Sequence, residues 1–301
     1  MISLRLLALF LGLIASAAGC RKAADAATAE TKGIAAKRVN ELTQRLAKAD
    51  AAPDSDKPVA MWIMPVELRE ISGIALLPDG KIVAHGDEQA LIYVIDPRTG
   101  MVLDRFHVGK GIHGDFEAIT TSGDNVWLLQ SNGRIYQFKV GANNAHVPYK
   151  VIDTRLGKEC EFEGIAYEPD SAWLVMPCKR VLKKSMRGQL VLYRVRLQGS
   201  GAGRISELTI PMKQVIGSNK WKEFKPSDIT LEPRTGNYVI IASHEKALAV
   251  ITPDGDVLRS EKLPGKHPQA EGVAITPDDI LIVSDEATNV PATITLYRWR
   301  Q

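Results

Sequence analysis

Apolar residues in this chain fall into short runs, alternating or continuous, cut by turns rich in Pro, Asp and Gly. Such runs are too short for helices and have the period of strands. One stretch shows the pattern in full: GIALLP, KIVAHG, LIYVID and MVLDRFHV follow one another with only turn residues between them. The next stretch repeats it with FEAIT, NVWLLQ, RIYQFKV and YKVID, and a later one with SDITLE, YVIIAS, LAVIT and VLRSEKL. Four strands per unit make one blade-like sheet.

The units are in register with one another. REISGIALLPDG, GDFEAITTSGD, CEFEGIAYEPDS, KPSDITLEPRTG and QAEGVAITPDD align on Ser72, Glu117, Glu163, Ser227 and Glu271, at spacings of 45, 46, 64 and 44 residues. A period in the forties, built from strands, excludes helical solenoids and predicts an all-β, five-bladed β-propeller, with six blades the fallback if the long third unit hides another. The excess of that unit lies around Lys179 to Gly188 and Gly199 to Lys225, where Gly, Ser, Lys and Arg suit surface loops capping one face. The last unit supplies only three strands, AEGVAIT, ILIVSD and ATITLYRW. The apolar segment VAMWIMPV (59–66), which has no blade of its own, is expected to complete that unit and close the ring, removing the exposed edges.

Ahead of the propeller the pattern changes. Residues 1–19 join Arg5, an apolar run and small residues, an export signal. Ala17-Ala18-Gly19-Cys20 resembles a bacterial lipobox, with Ala17 where Leu is commoner, which predicts lipidation of Cys20 and a membrane partner through that anchor; an ordinary cleaved signal or an uncleaved anchor is the alternative. Arg21, in place of an Asp, resembles the sorting pattern of lipoproteins held at the outer membrane and facing the periplasm. Residues 20–58 lack aromatics and read as an Ala-rich tether. Within it Ile34, Ala35, Val39, Leu42 and Leu46 fall at helical spacing, so GIAAKRVNELTQRLAKAD is expected to be an amphipathic helix, either a solvated spacer docking weakly on the body or, less in keeping with its two heptads, one strand of a coiled coil.

The formal charge of +3 is small, basic residues are scattered among acidic ones, and no nucleic-acid motif is present, so nucleic acid is not an expected partner. The three cysteines are Cys20, Cys160 and Cys178. If the turn around Pro169-Asp170 sets Tyr167 opposite Ser171 and Ala166 opposite Ala172, outward counting sets Cys160 opposite Cys178. That spacing and an oxidising compartment predict a disulfide, with buried free thiols the alternative if a bulge intervenes.

The chemistry lies in the repeated acids. In a propeller the loop entering the inner strand and the loop joining the second and third strands share a face. Entering the inner strands are Asp115 with Glu117, Glu161 with Glu163, Asp228, and Glu271; at the second-strand ends stand Asp87 with Glu88 and Asp285 with Glu286. Converging carboxylates repel unless protonated, paired with Lys or Arg, or neutralised by a cation. Calcium, which accepts six to eight oxygens in flexible geometry, suits such a ring. Glu117, Glu163, Asp228 and Glu271 are the candidate ligands, with Ser72, Asp87, Glu88, Asp115, Glu161, Asp285 and Glu286 a secondary set. The alternative is bonding to loop amides or to bases such as Lys158 and Lys179. His85, His113, His244 and His267 lack paired zinc spacing and read as surface or packing residues.

The stretches ISGIAL, FEGIAYEPD, SDITLEPRTG and HPQAEGVAITPDDILIVSDE resemble the SdiA-regulated (YjiK-like) proteins, bacterial envelope propellers related to NHL-repeat and gluconolactonase-type propellers, over residues 59–301. Ala118 and Asp228 stand where Gly is usual. The resemblance implies the propeller fold and an associated calcium or other metal site. Two functions follow as expectations. One is a non-catalytic lipoprotein that binds a cation and presents a face to an envelope protein, glycan or small molecule. The other is a metal-dependent phosphoesterase or lactonase, with Glu161 as general base and Lys179, Arg180, Lys183, Lys184 and Arg187 as a substrate clamp. No nucleophile elbow, Walker loop or dinucleotide fingerprint is present.

Overall fold

Turn chemistry and strand period produce five antiparallel sheets in a computed structural model that describes residues 28–52, 56–198 and 201–300. Cys20 and the export signal lie outside the described residues. Blade I comprises β2 (Ile71–Leu76), β3 (Ile82–Gly86), β4 (Leu91–Asp96) and β5 (Met101–Val108). Blade II comprises β6 (Phe116–Ser122), β7 (Asn125–Gln130), β8 (Arg134–Lys139) and β10 (Tyr149–Asp153). Between the last two, the short β9 (His146–Val147) pairs in parallel with β5 and ties blade II back to blade I. Blade IV comprises β16 (Asp228–Leu231), β17 (Tyr238–Ala242), β18 (Ala247–Ile251) and β19 (Val257–Lys262).

Blade V has three strands of its own, β20 (Ala270–Ile275), β21 (Ile280–Asp285) and β22 (Thr293–Arg298), and takes its fourth from the other end of the propeller. That strand, β1 (Ala60–Ile63), pairs antiparallel with β22 from Ala60↔Leu296 to Ile63↔Thr293, as the missing outer strand required. Five apolar layers fill the spaces between neighbouring blades, including the one between V and I. Five sheets and five interfaces close the ring without a sixth blade.

Blade III departs from expectation. Its inner strand is broken into β11 (Cys160–Phe162) and β12 (Ala166–Glu168), both paired with the long β13 (Trp173–Val181). Of the segment expected as a surface loop after Gly199, residues 201–216 are strand and helix, and only 217–225 are irregular. β14 (Gln189–Gln198) and β15 (Gly201–Pro211) form a hairpin about twice the length of those in the other blades, followed by a one-turn helix, α2 (Met212–Ile216). The alternation in LVLYRVRLQ and RISELTIP supplies a sheet pattern that overrides the Gly and Ser around the tip.

The tether helix, α1, runs over 28–50, one turn longer at its start than the helical spacing predicts. It docks through Leu42, which is buried in the layer between blades V and I, with Leu46 and Ala49 beside it. Arg38 stacks its guanidinium 5.2 Å from the centre of the Trp62 ring and donates to the Thr99 carbonyl, and Arg298 pairs with Asp50 at 2.7 Å. No helix among the described residues is long and apolar enough to cross a membrane.

Candidate functional site

The inner strands crowd the axis, and small residues permit it. A Cβ on Gly272 would come within 2.4 Å of Ser284 Oγ and 3.0 Å of the Ile74 backbone, and one on Gly164 within 3.2 Å of Asp228 Cα. Above these small residues sits the aligned position of each repeat. In blades I, II and V this residue is the unpaired member of a β-bulge: Ile71 pairs with Gly86 and Gly73 with His85, skipping Ser72, and Glu117 and Glu271 are skipped likewise. In blade III, Glu163 lies in the break between β11 and β12. A bulge turns a side chain out of the ladder. Here it aims Ser72, Glu117 and Glu271 at the axis, whereas in blade IV, which has no such bulge, the buried Ser227 donates to the Ala270 carbonyl at 2.8 Å.

Ser72, Glu117, Glu163 and Glu271 thereby line one axial mouth of about 130 Å³, together with Asp87, Glu286, Glu70, Gln269 and Lys179. Six carboxylates share this space with one ammonium group. Burial, then the charges of Glu163 and Asp115, push the Glu117 carboxyl up to about 8. Burial, then Glu163, push Glu271 up to about 8 as well. Glu163 is raised to about 7 by burial, which outweighs its hydrogen bond from Lys179. Asp87 and Glu286 are also raised, burial being the larger cause in each.

Lys179 arrives by another bulge. Glu161 pairs with Arg180 and Phe162 with Cys178, so Lys179 is the residue skipped on β13. It pairs with Glu163 and lies within electrostatic reach of Glu271 and Glu117. The same bulge corrects the register expected for the two cysteines. Ala166 pairs with Val175 and Tyr167 with Leu174, because the turn over 169–172 is wider than counted and Ala172 takes a left-handed conformation (φ 56°). Cys160 therefore faces Val181, yet the bulge brings Cys178 back beside it, and the two are joined by a disulfide with Cα atoms 5.5 Å apart.

Other expected ligands fall elsewhere. Asp228 is buried one residue farther along its strand, where its Oδ2 accepts the Val273 backbone N–H of blade V at 2.8 Å; burial holds its carboxyl well above the usual carboxylate range. Asp285 is buried with His267, Oδ2 to Nδ1 2.5 Å, and His267 Nε2 meets Tyr297 OH at 2.9 Å, a network that joins β21 to β22. Glu88 and Asp115 are exposed on the rim, Asp115 accepting from Ser131. Glu161 accepts from Arg180 Nε at 2.7 Å. His85 is buried against Gly73, its imidazole pushed down to about 4 by burial. His113 and His244 are exposed.

The basic run expected as a clamp is largely spent on acids, since besides these two pairs Lys183 lies 2.9 Å from Glu159 and 3.0 Å from Glu207. Glu70 and Gln269 were not singled out in the sequence. Both precede an aligned residue by two positions, as Asp115 and Glu161 do, and that recurrence is the signal that marks them.

The donor set suits a hard cation in chemistry: all oxygen, with Glu163 Oε2 and Asp87 Oδ1 buried and lacking a hydrogen-bond partner. Its geometry is not that of a finished metal centre. Among the described residues no three of the acids, histidines or cysteines stand in ligating arrangement.

No family model and no curated protein matches the chain. Solved structures similar to it include virginiamycin B lyase from Staphylococcus aureus, at 17% identity and TM-score 0.42 over 79% of this chain and 73% of that one. A luciferin-regenerating enzyme matches at 11% identity and TM-score 0.48 over 80% and 95%. The PQQ-bound aldose sugar dehydrogenase of Streptomyces coelicolor matches at 14% identity and TM-score 0.47 over 79% and 97%. At this distance the fold rests on the chain's own strand pairing, and that pairing makes it a five-bladed β-propeller.

Proposed function

We propose that this chain is a non-catalytic, cation-binding propeller of the bacterial envelope, of the SdiA-regulated type, anchored through Cys20 at the outer membrane. The observation that carries the binding role is the acidic mouth, where Glu117, Glu163 and Glu271 converge from three blades on a single lysine. Lys179 acts there as a tethered cation, neutralising acids that would otherwise repel one another. A divalent ion such as calcium binds by displacing that ammonium group, taking Glu163 and Glu271 as ligands with Glu117, Ser72 and Asp87 completing an oxygen set. The oxidised Cys160–Cys178 pair supports an exported setting. Loops on the same face meet the partner, an envelope protein, a glycan or a small molecule.

Calorimetric titration with calcium, alongside thermal melts, tests this. Calcium is expected to bind one site per chain and to raise the melting temperature. Lys179→Met is expected to tighten binding at least tenfold, because the ammonium no longer competes with the ion for the carboxylates; two unit charges near 4 Å repel by about 4 kcal/mol at protein-surface dielectric, and a divalent ion by about twice that. Glu163→Gln combined with Glu271→Gln is expected to abolish it. Absence of binding in both the wild type and Lys179→Met, or binding unchanged in the double variant, overturns the proposal.

A further inference from the structure

Below the small residues, the next inward position of each repeat is a β-branched apolar residue: Ile74, Ile119, Ile165, Ile229 and Val273, all buried. These five form a floor across the axis. Two of them lean on the glycine of the preceding blade, Ile74 on Gly272 and Ile229 on Gly164. The acidic mouth lies on one side of this floor. On the other, a cavity of about 870 Å³ opens at the opposite end of the propeller, with all five floor residues in its lining.

The chemistry of this cavity differs from that of the mouth. Its walls carry Leu76, Tyr167, Leu231 and Ile275, equivalent positions on the inner strands of blades I, III, IV and V, and the first three are half-buried; the same position in blade II is Thr121, whose hydroxyl donates to the Leu76 carbonyl. Thr120 and Thr230 add hydroxyls at mid-depth. The charges at the rim are satisfied within their own turns: Lys81 pairs with Asp79 at 2.6 Å and Arg98 with Asp96 at 3.1 Å. The remaining rim acid, Asp278, is exposed and repels anions. Within the cavity, then, no side chain is placed to neutralise a charged ligand, and burying an unpaired charge against the isoleucine floor is costly.

We infer that this cavity is a second binding site, taking one uncharged, largely apolar small molecule whose hydroxyl or carbonyl group meets Thr120 or Thr230. The volume lies within the range of small-molecule sites, and the lining combines apolar walls with a few polar groups as such sites do. A preformed apolar cavity open to water gains by filling, since apolar surface of both cavity and ligand is removed from water. The floor separates this ligand from the cation at the mouth, so the two bind independently.

Titration of the full chain with N-phenyl-1-naphthylamine, a neutral lipophile whose fluorescence rises in apolar surroundings, tests the inference. One saturable site per chain is expected, with its affinity unchanged by calcium and with the sulfonated, anionic analogue binding at least tenfold more weakly. Thr230→Arg, which places a long cation in the cavity, is expected to weaken binding at least tenfold. Leu76→Gln, on a different blade, serves the same purpose where the first variant does not fold, as judged by its melting transition. The inference is overturned if no saturable binding occurs, if the anionic analogue binds as tightly, or if a folded variant at either position retains wild-type affinity. Loss of calcium binding with retained probe binding would leave this site standing while removing the one at the mouth.

Discussion

Glu117, Glu163 and Glu271 have ordinary carboxyl values of 4.5 that rise to about 8, 7 and 8 in the folded chain. Burial is the largest cause for each, and their mutual repulsion adds to it for Glu117 and Glu271. A carboxyl raised by folding is neutral in both states below 4.5, so it costs nothing there; as pH climbs toward 8 the unfolded chain ionises freely and the folded one does not. The folded state then holds more protons than the unfolded one, and stability must fall with rising pH. In a chelator-containing buffer the melting temperature is expected to decline from pH 5 to pH 8.5. Calcium should flatten the decline by favouring the ionised form, and so should Glu163→Gln with Glu271→Gln. A flat wild-type profile across that window would show that these carboxyls are not crowded as described. Lys179 belongs to the same scale, since its position in the mouth depends on one skipped residue in β13.

At the scale of elements, the blade III hairpin carries the most consequence. Its inner strand is interrupted where Glu163 turns to the axis, which removes ladder hydrogen bonds from the strand that must hold the acid in place. The Cys160–Cys178 disulfide spans this interruption from one side and the pairing of β12 with β13 from the other. Closing a loop of this length contributes about 3 kcal/mol through the entropy of the unfolded chain. Cys160→Ser with Cys178→Ser is therefore expected to lose about that much in denaturant unfolding, and to weaken calcium binding because Glu163 and Lys179 are held by the same two strands. Full stability in the double serine variant would mean that β13 and β14 fix the hairpin unaided.

The whole molecule depends on one closure. Blade V draws its outer strand from Ala60–Ile63, and α1 packs Leu42, Leu46 and Ala49 against the layer this closure creates. A chain beginning at Glu67 leaves β22 as an open edge and exposes the apolar layer between blades V and I. It is expected to lose its cooperative transition and to aggregate, whereas a chain beginning at Asp56 retains β1 and should unfold in one transition, at a temperature lowered by the missing helix. Equal melting of the two truncations would refute the closure. The ring also gives the molecule two unlike ends, an acidic mouth and an apolar cavity, with the floor of Ile74, Ile119, Ile165, Ile229 and Val273 between them.

Strand period and turn chemistry act over a few residues, which is why the sequence alone determines the five units, the strands of blades I, II, IV and V, the borrowed outer strand of blade V and the aligned Ser72, Glu117, Glu163, Ser227 and Glu271. The two cysteines it pairs are joined, though through a register it does not specify. Tertiary structure decides what depends on neighbours distant in the chain. Bulges form where inner strands crowd the axis, and they direct the glutamates and Lys179 into one mouth while Asp228 and Asp285 turn to partners between and within blades. Alternation alone cannot place a bulge, because inserting one residue reverses every side chain beyond it and only packing against the adjoining blade selects the position. The same reason hides the long hairpin of blade III, whose Gly and Ser signal a loop until cross-strand pairs from Leu190↔Ile210 to Val195↔Ile205 outweigh them.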